Sequence, residues 1–156
     1  MKFLRCGNVG KEKPAVLDKS GKIRDISSYI IDLSPEHINF ENLEKLKKIN
    51  LEKLPEVPKS TRIGPCISKP GKFIGIGLNF SDHAAEIGAE IPKEPILFMK
   101  ASSCISGPND DIIIPKDSKK CDWEVEIAFV IGKEVKNISE SNAKNHIFGY
   151  CIVNDV

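Results

Sequence analysis

The sequence predicts a β-rich α+β fold. Short apolar and β-branched runs recur between turn signals at residues 1–6, 14–17, 22–26, 72–78, 96–99, 112–114, 123–131 and 150–153. Helical spacing or capping signals occur only near 34–49, 81–87 and 139–148. These stretches do not alternate with strands as a parallel βαβ sheet requires. At 156 residues and 40% hydrophobic content, the chain has the material for about one domain with a small appendage.

The elements follow in order. Residues 1–6 and 14–17 read as strands flanking a glycine-containing loop, and Asp18-Lys19-Ser20-Gly21 is a turn ahead of a third strand at 22–26. Ser34-Pro35-Glu36 reads as a helix start, with serine as N-cap, proline at the first helical position and an acid in the first turn. Leu43, Leu46 and Ile49 continue it at helical spacing, while Glu44, Lys45, Lys47 and Lys48 take the wet side. The two prolines in Leu54-Pro55-Glu56-Val57-Pro58-Lys59-Ser60 forbid a regular element and mark a linker. The chain therefore divides into a small N-terminal domain with linker, 1–61, and a strand-dense second domain, 62–156.

In the second part, 72–78 is a compact apolar strand. A short helix from Ser81 to Ile87 stops at Gly88, a suitable residue just past a helix end. Turn clusters at 91–95 and 107–110 separate the strands at 96–99 and 112–114. A last helix starts near Ser139 and ends before Gly149, ahead of the strand at 150–153.

Lys+Arg is 23 and Asp+Glu is 22, a net charge of +1 that provides no field for nucleic acid or an anionic membrane. The longest apolar run, Ile127 to Ile131, is far below the roughly 20 residues a spanning helix needs. Met1-Lys2-Phe3-Leu4-Arg5 is broken by charge too early for a signal-peptide core. The five cysteines, Cys6, Cys66, Cys104, Cys121 and Cys151, are odd in number and widely spaced, which argues against a disulfide framework or zinc knuckle. Reduced thiols in a cytoplasmic protein are the simplest expectation.

Three segments carry chemistry. In Asp122-Trp123-Glu124-Val125-Glu126-Ile127-Ala128-Phe129-Val130-Ile131, strand alternation puts Trp123, Val125, Ile127, Phe129 and Ile131 on one apolar face, expected to be core. Glu124 and Glu126 share the other face, about 6–7 Å apart at Cβ. Two such carboxylates call for a divalent cation, a pair of basic side chains, or simply a wet strand edge. In Asn79-Phe80-Ser81-Asp82-His83-Ala84-Ala85-Glu86, His83 and Glu86 lie three apart on one helical face. That spacing suits a carboxylate-oriented general base, and equally an exposed helix with an incidental His–Glu pair. Gly75-Ile76-Gly77 lacks the third glycine of a dinucleotide loop, because Phe80 stands there. Finally, Tyr150-Cys151-Ile152-Val153-Asn154-Asp155 ends an apolar strand in Asn-Asp. Glu124, Glu126 and Asp155 would form an all-oxygen set suited to Mg²⁺, Mn²⁺ or Ca²⁺ rather than zinc.

Five blocks in order resemble the fumarylacetoacetate hydrolase family. They are Lys72 through Glu86, Glu94-Pro95-Ile96-Leu97-Phe98-Met99-Lys100, Gly107-Pro108-Asn109-Asp110, Asp122-Trp123-Glu124-Val125-Glu126, and Gly149 through Val156. Lys22-Ile23-Arg24-Asp25-Ile26-Ser27 resembles part of the small N-terminal domain of many bacterial members. The resemblance implies that a small N-terminal α/β domain is followed by the first part of a mixed β-roll. It also implies a Mg²⁺ or Mn²⁺ enzyme acting on 2-oxo acids, often 2,4-diketo acids, and a homodimer in the full-length family. By the match, Glu124, Glu126 and Asp155 would hold the metal. His83, oriented by Glu86, would activate water for carbon–carbon cleavage. Ureidoglycolate cleavage, isomerisation and decarboxylation are sister activities; the subtype looks closest to sugar-acid diketo hydrolases and ureidoglycolate lyases. The chain departs from the family at its end. It stops one residue after Asp155, without the Ser/Thr and Arg that usually follow, so a truncated product, an inactive fragment or half of a split enzyme is expected.

Overall fold

A computed structural model describes residues 1–156. The chain forms two compact units, one made of Met1–Ser68 with Gly107–Val156 and the other of Lys69–Ser106.

The larger unit opens with an antiparallel sheet of four strands, β1 (Lys2–Cys6), β2 (Lys13–Leu17), β3 (Ile23–Asp25) and β4 (Ile63–Gly64), in the order β3-β2-β1-β4. The Asp18 carboxylate makes the β2–β3 turn, accepting from the backbone N–H of Ser20 (2.8 Å) and Lys22 (2.9 Å). Helix α1 (Phe40–Lys47) starts later than the Ser34 expectation. Residues 34–38 close a single turn, with the N–H groups of His37 and Ile38 both donating to the Ser34 carbonyl. The N-cap is Asn39, whose side chain accepts from the Asn42 N–H at 2.8 Å. Val16, Ile26, Ile30, Leu33, Ile38, Leu46 and Leu54 form the core.

The later segment contributes a second ladder. β7 (Glu124–Ile131) and β8 (Ile147–Asp155) pair antiparallel, with an irregularity at Val130/Ile131. Val130 and Phe148 pack on the N-terminal core, and the Phe148 ring stands 5.8 Å from Phe3 and 6.5 Å from Phe40 between centroids. These contacts are why residues 107–156 cluster with 1–68. β8 begins earlier than expected, because helix α3 (Glu140–Ala143) is one turn long and passes through a 3₁₀ turn at Lys144–His146. Residues 112–114 are not a strand. They pair with nothing, and Ile112, Ile113 and Ile114 are exposed.

The smaller unit holds β5 (Phe73–Gly77), helix α2 (Ser81–Glu86) and β6 (Ile96–Lys100), with β5 and β6 antiparallel. The glycines of Gly75-Ile76-Gly77 have a packing purpose: Phe98 lies directly across from Gly75, and a Cβ there would overlap its ring. No helix is long and apolar enough to cross a membrane.

A chain of ion pairs ties the larger unit. Arg5, almost wholly buried, donates to both Asp32 oxygens (2.6 and 3.0 Å) and to Glu12 (3.4 Å). The other Glu12 oxygen accepts from Arg62 at 2.8 Å, and Arg62 also grips Asp110. The Asp110 carboxylate in turn accepts from the Gly107 N–H at 2.6 Å, and Gly107 lies so close to the Ile63 carbonyl that a side chain there would collide with it. Burial pushes Glu12 and Asp32 up, but hydrogen bonds from Arg62 and Arg5 outweigh it and leave both below the usual carboxylate range. Asp110 is lowered by Arg62, and Asp18 by the Ser20 hydroxyl and then by the Lys22 N–H and Arg24.

Depressed folded-state pKa values contribute stability that is present above the unfolded values, about 3.9–4.3, and lost as pH falls through the folded ones. The urea midpoint is therefore expected to hold between about pH 7 and 5 and to fall progressively below about pH 4. A midpoint that stays constant from neutrality to about pH 2.5 would show that these carboxylates titrate alike in both states.

Candidate functional site

Strand alternation places Glu124 and Glu126 on one face of β7. The ladder adds Asp155, which sits directly opposite Glu124, as Val153 does opposite Glu126. Facing residues of an antiparallel pair project to the same side, so three carboxylates share one face at the open end of the hairpin. Glu124 is exposed, whereas Glu126 and Asp155 are half-buried. The Asn154 side chain accepts from the Glu124 N–H at 3.0 Å and fastens that end.

No three His, Cys, Asp or Glu side chains converge closely enough to hold an ion. The donor set itself, three carboxylates, suits a hard cation, which takes oxygen ligands and flexible side chains.

The opposite face of the hairpin is not core, as its apolar pattern predicts, but surface. Val125, Ile127 and Phe129 are 65%, 73% and 58% exposed, and Tyr150 and Ile152 beside them 69% and 77%. The side that packs is the one carrying Val130 and Phe148, because the N-terminal core lies there. Within the chain, nothing covers the other side.

His83 and Glu86 lie on α2, in the smaller unit. Leu78, just before, adopts a left-handed φ of 50°, a costly conformation for a side chain of that size. The helix ends as expected: Gly88 has φ +66°, its N–H reaches the Ala85 carbonyl, and the Ala89 N–H reaches Ala84. His83 is half-buried and Glu86 exposed. The His83 N–H donates to the Asp82 carboxylate at 2.9 Å, and no hydrogen bond joins the His83 ring to Glu86.

Comparison with known proteins follows the same outline. The family model described as fumarylacetoacetate (FAA) hydrolase C-terminal matches residues 72–156. A Burkholderia cenocepacia relative, whose name gives hydrolase as a provisional class, is 51% identical over 156 residues. The match takes in 100% of this chain and 55% of the relative, so the chain spans about half the length of the curated relatives it matches. The fumarylacetoacetate hydrolase of psychrophilic Exiguobacterium antarcticum superposes with a TM-score of 0.79 at 30% identity, over 99% of this chain and 55% of that one. The maleylpyruvate hydrolase of Sphingobium sp. SYK-6, solved with manganese(II) and pyruvate, shares the fold at a TM-score of 0.79 and 22% identity, over 99% of this chain and 58% of that one. With the matched residues covering more than half its length, this chain belongs to the fumarylacetoacetate hydrolase family.

Proposed function

We propose that the complete protein is a divalent-metal-dependent hydrolase or lyase that cleaves a carbon–carbon bond in a 2,4-diketo, acylpyruvate-like acid. The observation that carries this reading is the shared face of Glu124, Glu126 and Asp155 on the β7–β8 hairpin. Those three carboxylates would hold Mg²⁺ or Mn²⁺, with Ca²⁺ as a third hard ion of the same preference. When bound, the cation supplies a Lewis-acid charge and a template for the substrate's carboxylate and 2-oxo oxygens. The manganese(II) named with the Sphingobium maleylpyruvate hydrolase is consistent with a divalent cation in a protein of this fold.

His83 is the general base in this reading. Its imidazole takes a proton from the water that adds to the distal carbonyl, and returns a proton to the departing carbon. Glu86, three residues along α2, would orient the ring. Residues 1–61 serve as the N-terminal domain and 62–156 as the opening of the catalytic domain. The whole works in the cytoplasm as a homodimer.

The test joins this chain to the C-terminal remainder of the Burkholderia cenocepacia relative. Pyruvate release from an acylpyruvate is followed after EDTA treatment and readdition of Mg²⁺ or Mn²⁺. Turnover is expected with the ion and not without it. Glyoxylate and urea from ureidoglycolate, with no pyruvate from acylpyruvates, would select the lyase alternative. Turnover that EDTA leaves untouched would remove the metal reading.

A further inference from the structure

The outer face of the β7–β8 hairpin has no cover within the chain. Three cross-strand rows run along it from the open end: Val125 with Asn154, Ile127 with Ile152, and Phe129 with Tyr150. Exposure of the apolar members runs from 58% at Phe129 to 77% at Ile152, and Trp123, just ahead of the strand, is 71% exposed. The alternate residues, Glu126, Ala128, Val130, Cys151 and Val153, are all half-buried, so the exposure belongs to one side. At about 150–250 Å² for an aromatic side chain and somewhat less for an aliphatic one, the six apolar residues leave on the order of 800 Å² in water. The largest patch on an ordinary monomer is about 300–600 Å². About 800 Å² is what each partner brings to a standard interface.

Two properties of this face suit an identical face. Its rows carry no charged side chain, so two copies stacked on it neither oppose like charges nor bury one. The rows also grade from small at Val125, through Ile127 and Ile152, to large at Phe129 and Tyr150. Consider a two-fold axis between two stacked hairpins, running across the strands at the Ile127 row. It lays β7 antiparallel on β7 of the second copy, mates each Val125 with the other copy's Phe129, and sets Ile127 on Ile127. Asn154 then meets Tyr150 of the second copy. The Asn154 side-chain oxygen already accepts from the Glu124 N–H at 3.0 Å, which leaves its amide hydrogens to donate to that tyrosine hydroxyl.

We propose that the exposed face of β7–β8 is a self-complementary docking surface whose occupant is a second copy of this chain, in a two-fold dimer centred on Ile127 and Ile152. The inference names a surface for association and needs neither the metal nor the reaction of the proposed function.

Sedimentation velocity on the purified 156-residue chain, from micromolar concentration upward, tests it without substrate or metal. A species of about 35 kDa, twice the chain's 17.3 kDa, is expected, with none larger. Trp123 is the only tryptophan, and its emission should move to shorter wavelength as the dimer forms. Ile127→Lys sets two like charges on the axis and should weaken association at least about 30-fold. Ile31→Lys, at a side chain 79% exposed in the N-terminal segment, should leave it unchanged. Phe129→Val alone should weaken the dimer, and adding Val125→Phe should restore it, because the exchange keeps small against large. A monomer at every concentration, assemblies that keep growing, equal effects of Ile127→Lys and Ile31→Lys, or no recovery in the exchanged pair would overturn the proposal. So would a chain that stays monomeric alone but takes up the C-terminal remainder of the Burkholderia cenocepacia relative, added as a separate polypeptide, since the face would then belong to that partner.

Discussion

Arg5→Ala is expected to destabilise the larger unit by about 3–5 kcal/mol, the cost of removing one partner from a buried ion pair. The Arg5 side chain is only 8% exposed and neutralises Asp32 and Glu12, the latter at 5%. Without it Glu12 keeps Arg62, but Asp32 keeps only polar partners, the Leu33 N–H and the Ser68 hydroxyl. Set against a typical total of about 5–15 kcal/mol, such a loss removes a large share of stability. The urea midpoint should drop by about 2 M. Adding Asp32→Asn should recover part of the loss, because the stranded charge is gone. Lys22→Ala is the control: the Lys22–Glu56 pair is exposed, and its removal should cost under about 1 kcal/mol. Equal, small effects for Arg5 and Lys22 would show that solvent reaches the buried pair.

The second large effect separates the two roles proposed for the site. In the joined protein, Glu126→Gln should weaken Mn²⁺ binding by more than about 100-fold, because losing a supporting group already costs 10–100-fold and this removes a ligand. His83→Ala should lower turnover by about 10²–10⁴-fold, the usual worth of a general base, with metal affinity nearly intact. Calorimetric titration with Mn²⁺ alongside pyruvate release distinguishes them. Loss of both properties in His83→Ala would move the histidine into the metal set. Retention of both in Glu126→Gln would dissociate the carboxylate face from the chemistry.

Much of this was legible in local pattern, and the rest depends on non-local pairing. Strands β1, β2, β3, β5, β6 and β7 follow from alternation and turn chemistry, which act over a few residues. Ser34-Pro35-Glu36 has the chemistry of a cap and so sets the expected start of α1 too early, whereas Asn39 is the residue whose side chain takes up that role. The common face of Glu124 and Glu126 follows from a period of two. The facing of Asp155 and Glu124 does not, since it is set by the β7–β8 register across a gap of some 30 residues. The apolar face of β7 reads as core by composition, but burial is decided by what lies opposite, and that lies outside any single strand's pattern.

The close seat of Gly107 against Ile63, clamped by Arg62 and Asp110, has a kinetic consequence. The chain departs from the larger unit after Ser68 and resumes it at Gly107, beside the strand it has just left. Residues 69–106 are thus a closed excursion with anchored ends, and their fluctuations need not pull the anchors apart. They contribute one buried apolar side chain, Ala84, whereas residues 1–68 contribute nine and Pro14 besides. Amide hydrogens of β5, β6 and α2 therefore exchange through an opening of their own, at lower free energy than those of β1 and β2. His83 rides on a part of the molecule that opens more readily than the N-terminal sheet.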